Sequence, residues 1–397
     1  MITKLEIHNY KSLNDLTLEV GRFNVLIGEN GCGKSNLLEA IAFAAAAESS
    51  KLDNEFLVSR GIRVTEPKLM RSAFDDEHLS KSIEIDILFN NPEVISSYTL
   101  TNDNQAYSKW KWSSKTDKVA KLISPGQYAA IDVIAMRDMP SDSFEKHAMG
   151  LANLLGLADQ IRDKNMDAIS YFQHLDNHEE LENFLIYSPE NTALRNFSKE
   201  GQIEPLGING EGLLKLLKVI KNESSDQWKE IQDSLELFDW FGEIELPDIS
   251  SNDDQVSITD RYLTRVIDQR SANEGFLFVL FYIALMVSEY TPKIFAIDNI
   301  DTSLNPKLCT KLIKVLINLA KKYDKQVFVT THNPAILDGI NLGDDEQRLL
   351  VVSRNKLGHT NFKRIELADK PRSSNNEDLK LSEAFLRGYL GGLPKGF

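Results

Sequence analysis

The first twenty residues alternate apolar and polar positions, and "KLEIHNY" and "LTLEV" predict two paired strands. "FNVLIG" follows as a short apolar run ending on glycine, the pattern of a buried strand entering a turn. From about Asn36, "LLEAIAFAAAA" places strong helix formers and apolar residues at helical spacing. Further strands are expected at "SIEIDILF" (82–89), "SYTLTND" (97–103) and "YSKWKWS" (107–113). Between about 141 and 240 the period turns helical, in "HAMGLANLLGLADQI", "LENFLIY", "EGLLKLLKVI" and "DQWKEIQDSLELFDWF". Beyond it, residues 276–290 predict a buried helix, "KIFAID" a buried strand, "NPKLCTKLIKVLINLAKKY" an amphipathic helix and "QVFVTTH" another buried strand. Strand–helix–strand order of this kind implies a parallel sheet. A solvated linker is expected near 373–377, before a final helix.

These shifts divide the 397 residues into an N-terminal lobe (1–140), a helical insertion (141–240) and a C-terminal lobe (241–397). The expected class is α/β, with a mixed or parallel sheet and an N-terminal antiparallel β-subdomain. Such a length can bury a large core.

Charge narrows the partners. With 45 Lys and Arg against 59 Asp and Glu, the net charge is −14. That argues against a free-standing nucleic-acid binder relying on general positive charge, while leaving room for a local basic groove. The longest apolar run, "GFLFVLFYIALMVS" (275–288), falls short of the roughly 20 residues that span a bilayer. The N-terminus lacks the pattern of a signal peptide. Cys32 and Cys309 make no disulfide framework. A soluble, cytoplasmic protein without membrane contact is expected.

The strongest chemical signal is "GENGCGKS", which fits G-x-x-x-x-G-K-[ST] in full, after an apolar strand and at the start of a helix. In this loop Gly28, Glu29, Asn30, Gly31, Cys32 and Gly33 would wrap backbone N–H groups around phosphate oxygens. Lys34 would reach the β- and γ-phosphates, Ser35 would ligate Mg²⁺, and Asn36 continues the contact surface. ATP and Mg²⁺ are therefore the expected ligands. Four apolar residues, Ile294 to Ile297, lead to Asp298, as expected of a buried strand that delivers a carboxylate to the metal. Downstream by one helix and one strand, "VFVTTHNP" ends at His332, a candidate sensor of the γ-phosphate.

Together these stretches resemble a family. "KLEIHNYKSLNDLTLEVGRFNVLIGENGCGKSNLLEAI" is similar to the N-terminus of SMC/RecF/OLD-like ABC-type ATPases, "FAIDNIDTSLNP" to their Walker B and D-loop region, and "TTHNPAILD" to their switch-histidine loop. The resemblance covers residues 1–45 and 260–345 well, and implies an ABC-type head that dimerises around two ATP molecules. A signature segment would then contact the nucleotide of the partner head. "RSANEGFLFVLFYIALM" stands in its place: Gly275 matches the glycine, Asn273 stands where serine is usual, and Ser271 lies two residues earlier. The family's Q-loop has no clear counterpart; "LMRSAF" (69–74) occupies its position without a glutamine.

One departure matters most. Where the family usually carries a catalytic glutamate after the Walker B aspartate, this chain has Asn299. An amide is no base, yet it can position water by hydrogen bonds. Losing general-base help costs about 10²–10⁴-fold in rate, and Asp301 would compensate only if the backbone turned it inward. The expectation is ATP binding with slow or partner-triggered hydrolysis. A stand-alone head resembles the ATPase subunits of bacterial antiphage systems of the Septu or PARIS kinds, which act with a separately encoded effector such as a nuclease. Two alternatives stay open: a RecF-like repair ATPase acting on DNA, and a non-hydrolysing ATP-gated scaffold. "SKWKWSSKTDKVAK" (108–121) reads as a half-buried hairpin before it reads as a nucleic-acid contact. His174 and His178, four apart, read as a solvated helix face before a metal site. Cys32 reads as ordinary small-residue use before a redox switch.

Overall fold

The computed structural model describes residues 1–90, 95–114, 179–196, 204–247, 256–372 and 378–393. The helix expected in "HAMGLANLLGLADQI", the His174–His178 pair and the 373–377 linker lie outside these residues.

Alternation in the first twenty residues becomes β1 (Ile2–Tyr10) and β2 (Leu13–Glu19), paired antiparallel. β1 also pairs with β4 (Ile83–Phe89), which continues through β5 (Ile95–Thr101) to β6 (Lys111–Ser114), all antiparallel. In this five-stranded sheet, order β2-β1-β4-β5-β6, one face packs inward and the other carries polar residues. Trp110 is buried while Lys109 and Lys111 are exposed, as in the half-buried hairpin reading, but the strand expected over 107–113 begins only at Lys111.

A six-stranded sheet forms the centre, in the order β14-β13-β3-β12-β11-β7. β3 (Phe23–Gly28) lies between β13 (Gln347–Arg354) and β12 (Gln326–Thr331), parallel to both. β11 (Ile294–Ile297) pairs parallel with β12 and with the short β7 (Ile186–Tyr187), whereas β14 (Thr360–Ile365) is antiparallel to β13. The sequence reading placed "LENFLIY" wholly in a helix. Residues 179–182 are helical, but Ile186 and Tyr187 join the sheet as its edge strand. Short apolar runs fit either state, and the open edge of β11 decides this one.

Both faces of this sheet are buried, so its strands are continuously apolar. Helix α1 (Lys34–Glu48) and the five-stranded sheet cover one face, with α2 (Asn54–Ser59) and α3 (Pro67–Met70) at the rim. The other face is covered by α4 (Asn191–Arg195), α5 (Leu213–Glu223), α6 (Ser225–Leu235), α7 (Glu274–Val287) and α8 (Pro306–Lys322). α7 is buried all round from Gly275 to Val287, the signature of a core helix. Truncating Phe276 to alanine there would cost about 3–5 kcal/mol through the cavity left behind. α8 buries one stripe, including Leu308, Leu312, Ile313 and Leu316; Asn305 caps it and Pro306 opens it. A small sheet of β8 (Phe241–Glu245), β9 (Ser257–Asp260) and β10 (Ile267–Asp268) leads into α7. The C-terminal segment packs back through α9 (Leu381–Leu386), with Leu381, Phe385 and Leu390 buried. No described helix is long and apolar enough to cross a membrane.

Candidate functional site

The parallel strands β3, β11 and β12 end on one side of the sheet, where open α/β sheets hold their ligands. β3 delivers the phosphate loop. Gly31 and Gly33 sit at φ 73° and 110°, and Gly33 has no side chain to cap α1, so the first N–H groups of the helix stay open to an anion. The loop is also tightly covered: a Cβ at Gly28 would lie 2.1 Å from the Val352 carbonyl oxygen, and one at Gly33 2.2 Å from Thr360 Oγ1. Thr360 donates to the Cys32 carbonyl at 2.7 Å and meets the Ser12 hydroxyl at 2.6 Å, which accepts from Asn36 at 2.7 Å. Asn30 and Gly31 remain exposed and Glu29 is half-buried.

Lys34 lies buried across this loop, donating to the Gly28 and Glu29 carbonyls at 3.0 Å. Burial pulls its pKa below the ordinary lysine value, and the opposing attraction comes from Cys32, Asp298 and Asp301. Cys32 is itself buried with its thiol pushed up by desolvation, so it lacks the thiolate character of a reactive cysteine.

Ser35 and Asp298 converge from distant parts of the chain: the hydroxyl donates to the two carboxylate oxygens at 3.2 and 3.1 Å. Asp298 also accepts a short hydrogen bond from Thr330 on β12. One hydroxyl and one carboxylate are the hard oxygen donors that Mg²⁺ accepts, with phosphate oxygens and water completing its shell. The pair therefore fits the ion. Bound there, Mg²⁺ would neutralise phosphate charge.

After Asp298 the chain turns. Asn299 is exposed and left-handed at φ 56°, its N–H bonded to Thr330 Oγ1 at 2.8 Å and its carbonyl accepting from the Thr302 hydroxyl at 2.8 Å. Asparagine tolerates this conformation better than most side chains. The turn carries Asp301 back onto β12, where its Oδ1 accepts from Thr331 Oγ1 at 2.6 Å and from the His332 N–H at 3.3 Å. Successive strand residues point to opposite faces. Thr330 and Thr331 thus fasten the acids on the two sides of the turn. Sequence reasoning missed both threonines; two hydroxyls at the end of the apolar run "VFV" were the available signal. His332 is exposed at the strand end, and its pKa is lowered by partial burial and by the Lys34 charge.

The signature-like residues sit apart. Asn273 caps α7, its Oδ1 accepting from Phe276 N at 2.7 Å, and Ser271 N is held by Asp268 at 2.8 Å. Neither bond reaches the phosphate loop. Gly275 is buried against the turn after Asp298: a Cβ there would lie 3.0 Å from the Ser303 carbonyl oxygen. "LMRSAF" takes another role than the Q-loop position suggested. Arg71 is buried, donating to the Lys81 and Asn102 carbonyls and to Asn104, while Phe74 stacks on His359.

Known proteins are similar to this chain to different extents. The RecF DNA replication and repair protein of Pediococcus pentosaceus is 46% identical over 52 residues, which cover 13% of this chain and 14% of that protein. The chromosome partition protein Smc of Methanocaldococcus jannaschii is 39% identical over 51 residues, 13% of this chain and 4% of that protein. The chain thus matches only a small part of these relatives. Among solved structures, an Smc head bound to the C-terminal winged-helix domain of ScpA superposes with a TM-score of 0.56 at 14% identity, covering 93% of this chain and 99% of that one. The Pyrococcus furiosus Smc head with an extended coiled coil gives 0.52 at 16% identity, over 92% and 96% of the two chains. These show an Smc-head-like α/β fold. A family model described as "AAA domain, putative AbiEii toxin, Type IV TA system" matches residues 23–338, most of the sequence, and the chain belongs to that family of P-loop AAA domains.

Proposed function

We propose that this protein is an ATPase of the SMC/RecF type that binds Mg·ATP at its phosphate loop and hydrolyses it slowly. The convergence of Ser35 and Asp298 at 3.1 Å carries this reading, since it joins a phosphate loop to a metal-binding carboxylate from the far end of the chain. In it, Lys34 and the loop from Gly28 to Asn36 hold the phosphates. Asn299 orients water, and Asp301 fixes His332 beside the γ-phosphate. Domain roles follow the same scheme: 1–140 and 241–397 supply the two lobes of the head, and 141–240 an insertion between them.

Two heads would sandwich the nucleotides, with Ser271, Asn273 and Gly275 of one head facing the nucleotide of the other. The exposure of Asn273 supports this, because among the described residues no partner engages its amide nitrogen. The ATP state would then control a separate effector, such as a nuclease in antiphage defence. A RecF-like ATPase acting on DNA is an equally consistent reading, supported by the similarity to RecF over 52 residues.

Turnover of the unmodified protein and of Asn299→Glu tests the proposal. Slow hydrolysis that the glutamate raises, by about 100-fold or more, supports a switch held back by its missing base. Turnover near the ordinary enzymatic rate of about 10 s⁻¹ in the unmodified protein would refute slow hydrolysis. No turnover in either form, with ATP still bound, establishes the scaffold alternative instead.

A further inference from the structure

Beside the phosphate loop lies an open cleft of about 400 Å³, lined by Lys11, Ser12, Asn36, Arg63, Phe74 and Arg354, among others. Asn36 directly follows Ser35, and Arg354 donates to the Gly31 carbonyl at 2.9 Å, so the cleft starts where the phosphate cradle ends. In a chain of net charge −14 this concentration of cations is local. Beneath it, outside the lining, sits Glu39 on α1, only 1% exposed.

Both carboxylate oxygens of Glu39 are engaged. One takes a short bond from Lys11 Nζ; the other accepts from Arg63 Nε at 2.6 Å and from the Arg63 N–H at 3.4 Å. Lys11 Nζ donates further to the Arg63 carbonyl at 3.1 Å. Lys11 occupies a left-handed backbone position at φ 47°, which a lysine holds only when its surroundings fix it. Two like charges are thus kept side by side chiefly through one buried anion, with Asp298 adding a weaker attraction on Arg63.

We propose that Glu39 is a positioning residue that presents Lys11 and Arg63 to the phosphate and ribose at the nucleoside end of the bound nucleotide. This rests on the ATP reading above. Glu39 touches no ligand itself; it sets the place of the two cations that do. Its loss would leave the cradle around Lys34 intact while the cations separate. It would therefore discriminate between ATP and inorganic tripolyphosphate, which occupies the cradle and lacks a nucleoside.

Binding of the full-length protein to ATP and to tripolyphosphate, by calorimetry, tests this. Glu39→Gln is expected to weaken ATP about tenfold, as for loss of a charged contact, and tripolyphosphate less than about threefold. In a Lys11→Ala/Arg63→Ala background the same change should have no further effect on the ATP preference, because both cations it positions are gone. Should Glu39→Gln not fold, Arg63→Ala alone, at an exposed position, should reproduce the selective loss of ATP. Equal weakening of both ligands, or unchanged ATP affinity, would overturn the proposal. Failure of the unmodified protein to bind ATP at all would overturn the nucleotide reading beneath it.

Discussion

Around Lys34 the chain is tightly braced from behind. β13 presses on Gly28, Thr360 and Ser12 close over Gly33, and Thr330 anchors Asp298. Around Asn299 it is open: Asn299, His332 and Asn273 are all exposed, and they are fixed mainly through backbone and capping bonds. On the proposed ATPase reading, the half that would hold phosphate is braced within one chain, whereas the half that would handle water presents its side chains outward. On that reading affinity would be set internally, and hydrolysis would be left sensitive to whatever covers the open half.

The largest expected effect attacks the braced half. Lys34→Ala should weaken ATP binding about 100-fold by removing a charged donor from a buried loop, read by titration with a fluorescent ATP analogue. Intact binding would leave the phosphate-loop account without support. Next comes the hinge between the halves. Asp301→Asn keeps the size of the side chain but weakens its grip on Thr331 and the His332 N–H. Turnover should fall about tenfold through misplacement of His332, with ATP affinity changed little. A loss as large as that expected of a missing base would instead make Asp301 the proton acceptor.

The pH profile probes the open half more gently. Because His332 has its pKa below the ordinary 6.5, it is neutral at pH 7. Its contribution to stability is present above the unfolded value and is lost as pH falls through the lower folded value. Turnover should be level from pH 7 to 8 and should decline on acidification below the usual histidine range; His332→Gln should flatten that limb. The smallest effect concerns backbone alone. Asn299→Gly should change unfolding free energy by less than about 0.5 kcal/mol, since glycine is at ease at positive φ. Asn299→Val should cost about 1–2 kcal/mol. Chemical denaturation distinguishes them, and equal values would mean the left-handed turn is not maintained in solution.

Much of this was legible in the residues. "GENGCGKS" announces a phosphate cradle because only glycines permit the turns that bring N–H groups together, and the flanking strand and helix patterns place it. Four apolar residues before Asp298 and three before the threonines mark strands buried on both faces. The edge strand at Ile186–Tyr187 was hidden, because a short apolar run has no period of its own. Thr360 and Glu39 were hidden for another reason: their partners lie 328 and 28 residues away along the chain, at Cys32 and Lys11.

By itself, then, the sequence determined which motifs this chain carries: local spacing sets the phosphate-loop pattern, the aspartate at the end of a buried strand and the absence of a glutamate after it. Only the tertiary structure decided how these groups are held. It turned Asp301 onto β12, placed Asn299 in a left-handed turn, closed Thr360 over Gly33 and set Glu39 beneath two cations. Motifs are legible because backbone chemistry acts over a few residues. Bracing is not, because it depends on which distant strands the buried faces bring side by side.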